Sequence, residues 1–187
     1  PGVTSLALTD GMAEALLRNV MRNARLALQK PADYDVRAEI MWAGTLSHND
    51  ITGDRSQGDW ASHQLEHELG GMFDIAHGAG LAAIWGSWAR YVLKQNPCRF
   101  AQLAVNVLNV PYSFGNDEKT ALEGISAMED FFRSIGMPTS ISDMEIELTD
   151  TQIKELAHKC SFMGRRTIGG FVTLNAADME NIYRMAR

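Results

Sequence analysis

Asp59-Trp60-Ala61-Ser62-His63-Gln64-Leu65-Glu66-His67-Glu68-Leu69-Gly70-Gly71, continued by Met72-Phe73-Asp74-Ile75-Ala76-His77-Gly78-Ala79-Gly80, is the stretch on which the reading of this chain turns. It holds three of the five histidines. His63 and His67 are four residues apart, so on a helix they share one face. His77 lies fourteen residues past His63. A straight helix would carry it about 21 Å away, too far for one ion to bridge. The two can meet only if the helix breaks and the chain returns. The glycine pairs Gly70-Gly71 and Gly78-Ala79-Gly80 are the expected places for a break after Leu69. The expectation is a helix, a sharp turn, and a second helix beginning near His77.

Outward from this stretch, the chain reads as helix after helix. Thr9-Asp10 looks like an N-cap, followed at helical spacing by Ala13, Leu16, Leu17, Val20, Met21 and Leu26, with Pro31 as the stop. A second helix is expected from near Pro31–Tyr34 to Leu46. Asn49 to Gly58 is polar and reads as a loop. The histidine helix would open at Asp59 or the residue before it. A buried helix rich in Ala, Ile, Leu and Trp should run from Gly80 to about Gln95. Asn96-Pro97 should open another, and Leu108 to Gly115 should be a loop.

Asn116 and Asp117 cap a long helix that Gly136 and Pro138 end. Thr149-Asp150-Thr151-Gln152 is a capping box for a helix to about Phe162, and Asn175 caps the last. Only Thr167 to Leu174 has a short β-like composition. The expected fold class is all-α, a multi-helix bundle of about seven to nine helices, with residues 1–187 as a single helical domain.

Composition narrows the function. A chain of 187 residues with 45% apolar content suffices for a sizeable core. Its net charge of −6, with the basic residues scattered, argues against nucleic acid as partner. No apolar run reaches transmembrane length, and no leader is evident, so a membrane partner is not expected. Cys98 and Cys160 are far apart and outside any CxxC, which fits reduced core thiols in the cytoplasm.

The histidines suggest metal chemistry. Neutral imidazole suits iron, zinc, copper and nickel, but two imidazoles alone make a weak site, since catalytic ions usually have three or more protein ligands and an open position. The plain alternative is three ordinary histidines on a helix and its turn. His63-Gln64-Leu65-Glu66-His67 also spells H-x-x-E-H, in which two histidines bind zinc and the glutamate activates water. That zinc-hydrolase reading needs a further carboxylate, with Glu145 or Glu147 as candidates, and leaves His77-Gly78 unexplained. Glu66 and Glu68 fit better as helix-surface groups or as outer carboxylates that orient a histidine. Trp60, Phe73, Trp85 and Trp88 are candidate pocket or core aromatics. His48 and His158 read as surface residues. No glycine-rich strand-to-helix turn for a dinucleotide is present; Gly78-Ala79-Gly80 has neither a preceding strand nor the rest of the motif.

Taken together, His-x3-His-Glu-Leu-x8-His-Gly-x-Gly-Leu-Ala resembles the signature of the iron-containing (group III) alcohol dehydrogenase family, in its butanol dehydrogenase branch. Tyr34-Asp35-Val36-Arg37-Ala38 with Met41-Trp42-Ala43, Phe131-Phe132-Arg133-Ser134-Ile135-Gly136-Met137-Pro138, and Thr167-Ile168-Gly169-Gly170-Phe171 look like flanking segments of the same family. The resemblance covers nearly the whole chain, but only the C-terminal, helical half of a family member. It departs at Gly86, where the family usually has proline.

The resemblance implies that His63 and His77 are metal ligands for Fe²⁺ or Zn²⁺. It implies that His67 is not a ligand but a catalytic residue beside the metal and nicotinamide, holding substrate or passing a proton. The family's remaining two ligands, an aspartate and a histidine four residues later, would precede Pro1; neither Asp10 nor Asp33 has that spacing. The loop at Thr167 resembles a segment that closes over the cleft, which makes Thr167, like Trp60, a substrate-pocket candidate. NAD(P)(H) would bind only with an N-terminal dinucleotide-binding domain absent from this chain. The implied substrates are a small aldehyde or a primary alcohol, with a homodimer as one assembly in keeping with the family. The competing expectation is a stand-alone helical module for binding or assembly that carries a vestigial site.

Overall fold

Side-chain caps set half of the helix starts in the computed structural model, which describes residues 6–53 and 58–187. Among these residues, eight α-helices follow in order: α1 Ala7–Gln29, α2 Tyr34–His48, α3 Ala61–Phe73, α4 His77–Val92, α5 Pro97–Asn106, α6 Asp117–Ser134, α7 Asp150–Cys160 and α8 Ala176–Ala186. Single 3-10 turns occupy Leu93–Gln95 and Ser142–Met144. An isolated bridge pairs Ile168 with Leu174, inside the segment whose composition looked β-like. The fold is all-α, as expected. No helix among the described residues is long and apolar enough to cross a membrane.

Asp33 accepts from Val36 N at 3.2 Å and Asn116 from Lys119 N at 2.9 Å. Thr149 with Gln152, and Asn175 with Asp178, form reciprocal capping boxes. Caps of this kind stabilise by about 1 kcal/mol each, which is why they mark helix starts in a sequence. Two starts differ from expectation. α1 begins at Ala7, behind Leu6, whose apolar side chain offers no cap, and Asp10 lies inside the helix with its carboxylate paired to Arg99 of α5. α3 begins at Ala61, one residue beyond Trp60, yet Asp59 still serves it: one carboxylate oxygen accepts from Ala61 N at 2.8 Å and the other from Phe171 N at 2.7 Å. Part of the loop expected over 49–58, residues 54–57, lies outside the described residues.

The break between the histidine helices is not at the glycines. α3 runs through Gly70 and Gly71 to Phe73 and ends at Asp74, which adopts the left-handed conformation (φ 52°) while its N–H bonds Gly70 O at 2.9 Å. Aspartate tolerates that conformation better than most side chains. Three residues later α4 starts at His77, so Gly78 and Gly80 lie in its first turns. Gly80 is needed for space instead. A Cβ there would fall 2.7 Å from both Cγ and Oε1 of Glu66 and 2.9 Å from Ile75 Cδ1.

α4 sits at the centre, packed on α3, α6 and α8; α3 also meets α7, α7 meets α8, and α5 lies along α6. Leu65, Leu69, Ile84, Ile125, Ile153, Leu156, Ile182 and Tyr183 form the heart of the core. A fully buried Leu or Ile side chain contributes roughly 1.5–3 kcal/mol. α5 and α6 approach closely at Gly124, where a Cβ would lie 3.0 Å from Ala104 Cα. α1 and α2 pack on each other outside this cluster. Polar bonds tie α1 to α5, among them Glu14 accepting from Gln102 and Asn106, both at 2.8 Å, and Arg18 donating to Asn106 O at 2.6 Å.

The departure at Gly86 has a local account. Arg90 forms a bidentate pair with Glu129 of α6 and also donates to Gly86 O at 3.2 Å. A Cβ on Gly86 would run into the Glu129 carboxylate.

Candidate metal centre

Because α3 ends at Asp74 and α4 turns back against it, His77 is brought to the exposed face that carries His63 and His67. Ring centroids are 5.4 Å apart for His63–His77, 5.3 Å for His67–His77 and 6.3 Å for His63–His67. The rings of His63 and His77 thus come side by side from two helices, and the break that allows it is Asp74–Ala76. Trp60 packs edge-to-face on His63 at 4.9 Å. His67 is exposed and the His77 side chain is half-exposed, so the imidazoles stand at the surface rather than in the core.

Glu66 sits beneath them. Its residue is 1% exposed, and its Oε2 is hydrogen-bonded to His77 Nδ1. Ligand atoms of Glu66, His67 and His77 lie within 4.8 Å of one another. By distance alone these three make a possible ligand set that omits His63. Burial favours a different division of labour: the carboxylate lies under the rings and one of its oxygens is already committed to His77, while the three imidazoles face outward. Glu66 is also badly placed to activate a water at an open coordination position, which weighs against the H-x-x-E-H arrangement. Glu145 and Glu147 are exposed and take no part in this cluster.

Burial, and after it the neighbouring rings of His77, His67 and His48, holds the pKa of His63 below the ordinary imidazole value. A neutral ring keeps the lone pair that a metal needs. The donor set thus fits Fe²⁺ or Zn²⁺, both of which accept imidazole nitrogen.

A cleft of about 340 Å³ adjoins the histidines, lined by Trp60, His63, Gln64, His67, Phe162 and Arg166 among others. Phe162 and Arg166 carry no motif that marks them in the sequence. They arrive there because Phe162, Met163 and Gly164 are successive left-handed residues that curl the chain back after α7. The Arg166 guanidinium lies 3.6 Å over the Phe162 ring, and its Nε donates to Cys160 O at 2.8 Å. Thr167 is exposed and lines a separate hollow with Arg165 and Asn175, not this cleft. His48 and His158 are exposed, as expected.

Comparison with known proteins agrees with this architecture. Residues 2–187 match the model of the Fe-containing alcohol dehydrogenase family, C-terminal. The chain is 36% identical over 182 residues to the "Probable NADH-dependent butanol dehydrogenase 1" of Bacillus subtilis, covering 97% of this chain and 46% of that protein. It is 30% identical over 180 residues to the NADPH-dependent aldehyde reductase YqhD of Escherichia coli, covering 96% of this chain and 46% of that protein. The crystal structure of NADH-dependent butanol dehydrogenase A from Thermotoga maritima superposes with a TM-score of 0.89 at 28% identity, over 97% of this chain and 46% of that one. The chain thus spans about half the length of the relatives it matches. A helical fold, a histidine pair carried on two helices that a short link folds together, and a match along almost every residue lead to one conclusion: the chain belongs to the Fe-containing alcohol dehydrogenase family, whose C-terminal part it represents.

Proposed function

We propose that this chain is the metal-binding half of an NAD(P)-dependent alcohol dehydrogenase or aldehyde reductase acting on a small aldehyde or primary alcohol. The observation that carries the reading is the meeting of His63 and His77 across the α3–α4 break, in a chain of this family. His63 and His77 would hold Fe²⁺ or Zn²⁺, with further ligands supplied from outside residues 1–187. When bound, the ion polarises the substrate oxygen as a Lewis acid.

The chain's own residues do the remainder. His67, exposed beside both ligands, holds the substrate hydroxyl or passes its proton to solvent. Trp60 buttresses His63 and lines the cleft beside it. Residues 1–187 form one helical domain in this reading. A dinucleotide-binding half, like the nicotinamide dependence named for the Bacillus and Escherichia relatives, would complete the enzyme.

Positioning of a held nicotinamide against the substrate supplies much of the rate, so this chain alone should not oxidise NADPH with butyraldehyde. Fused to the N-terminal half of the Bacillus subtilis relative, it should do so with added Fe²⁺ or Zn²⁺. His63→Ala and His77→Ala should each abolish turnover in the fusion. Turnover that survives both substitutions would refute the assignment.

A further inference from the structure

The most unusual group in the molecule is the carboxylate of Glu66. It is a fully buried acid on α3, 1% exposed, in a layer otherwise made of Ala61, Leu65 and Leu69. Such a charge is costly to bury without a partner. Its hydrogen-bond partner is not on its own helix but across the break, at His77 Nδ1 on α4. The fold leaves room for it on both sides. A Cβ on Gly70 would lie 3.0 Å from Glu66 Oε1, and one on Gly80 would lie 2.7 Å from the same oxygen. Both helices therefore carry a glycine where a side chain would displace this carboxylate.

We infer that Glu66 is a positioning residue for the metal site: it accepts a hydrogen bond from Nδ1–H of His77, and so fixes the tautomer and rotation that present Nε2 outward as the ligand atom. The inference rests on the metal-site reading above. An imidazole has two nitrogens, and whichever one donates a proton to a neighbour leaves the other with its lone pair in the ring plane. His77 is at the first position of α4, with a half-exposed side chain whose ring makes, among the described residues, no hydrogen bond other than that to Glu66. Without Glu66 the ring would be free to rotate and to exchange tautomers. With Glu66, Nδ1 is committed and Nε2 keeps its lone pair, on a ring whose centroid lies 5.4 Å from that of His63 and 5.3 Å from that of His67. Outer groups of this kind orient metal-binding histidines generally, and their loss typically weakens metal binding by about 10–100-fold.

Glu66 also ties the two ligand helices together. The hydrogen bond links α3 to α4 across a connection of only three residues, directly below the site. Its removal therefore affects the angle of one ring against the other, while the apolar packing of Leu65 and Leu69 persists on either side.

The test uses the 187-residue chain, nitrogen-15 spectra of its histidine rings at pH 8, and zinc titration, in the parent, Glu66→Gln and Glu66→Leu. The parent should show His77 as the Nδ1–H tautomer before any zinc is added, and zinc should then shift the ring signals of His63 and His77. Glu66→Leu should return His77 to the mixture of tautomers found in free imidazole and raise the zinc dissociation constant by about 10–100-fold. Glu66→Gln keeps an acceptor oxygen and should fall between the two. Circular dichroism should be the same in all three. An unchanged His77 tautomer in Glu66→Leu would overturn the positioning role, whether or not zinc binds. An unchanged zinc affinity in a folded Glu66→Leu would overturn it as well. Absence of zinc shifts at His63 and His77 in the parent would instead sink the metal-site reading, and the ligand part of this inference with it.

Discussion

The hydroxyl of Tyr183 donates to the backbone carbonyl of Leu65 at 2.7 Å, joining the last helix to the histidine helix inside the core. Tyr183 is fully buried, and burial raises its pKa well above the ordinary tyrosine value, so it stays a neutral donor. Leu65 lies between His63 and His67, and its neighbour Glu66 reaches His77. Tyr183→Phe should cost about 0.5–1.5 kcal/mol, the net worth of one hydrogen bond. Tyr183→Ala should cost roughly 3–5 kcal/mol, since it also empties aromatic volume from the core. Denaturant unfolding measures both; a Tyr183→Phe variant as fragile as Tyr183→Ala would show that the hydroxyl, not the ring, dominates.

Gly124 is held to glycine by contact with the backbone of Ala104, not by its own conformation. A larger side chain would force α5 and α6 apart, because backbone atoms cannot rotate away as a side chain can. Gly124→Val should therefore lower stability by about 2–3 kcal/mol. Gly71, where a Cβ meets nothing within 4 Å, is the control: Gly71→Ala should be neutral or slightly stabilising, since alanine favours helix. In thermal melts Gly124→Val should fall below the parent and Gly71→Ala should match it or lie slightly above.

The two thiols should behave as different reagents. Cys98 is exposed, whereas Cys160 is buried and its pKa is pushed up to about 11, chiefly by burial. At pH 8 a thiol reagent should modify Cys98 and leave Cys160 until the chain unfolds. The linkage has a definite sign. The folded chain keeps the Cys160 proton to about pH 11, while the unfolded chain gives it up near 9. The unfolded state thus binds fewer protons in that window, and the Cys160 contribution to stability declines as pH rises from about 9 to about 11. Cys160→Ala should remove that part of the alkaline decline in an unfolding series.

Metal should matter to the site and not to the fold. The core cluster contains none of the three histidines, and its apolar packing is complete without them. Chelator should leave helical circular dichroism unchanged. His63→Ala should shift stability by no more than about 0.5 kcal/mol, as expected for a partly exposed residue. A metal whose removal unfolds the chain would show instead that this half carries a closed site of its own.

The helix starts were legible in the sequence wherever a side chain does the capping alone: Asn116, Thr149 with Gln152, and Asn175 all serve the helices expected of them. Asp10 misled because its carboxylate serves a tertiary partner, Arg99, and no local pattern announces that. The glycines misled for a related reason. Gly70 and Gly80 look like places for a turn, but their lack of a side chain makes room for Glu66, while the turn falls at Asp74. His63, His67 and His77 were recognisable from spacing and family resemblance. Phe162 and Arg166 were not, because three consecutive left-handed residues bring them to the cleft and only tertiary structure selects that path.

The three-residue link at Asp74–Ala76 has a consequence for tolerance to insertion. His77 is the first residue of a helix whose position is set by its buried flank, Ala82, Ala83, Ile84 and Ala89, and not by the link before it. An extra residue in the link can bulge outward and leave His77 in place. An extra residue between His63 and Leu69 cannot, because each residue turns a helix by about 100°, so either His63 or the whole apolar stripe must swing out of phase. Homologous chains should therefore vary in the length of this link while keeping the count from His63 to Leu69 and from His77 to Ile84 unchanged.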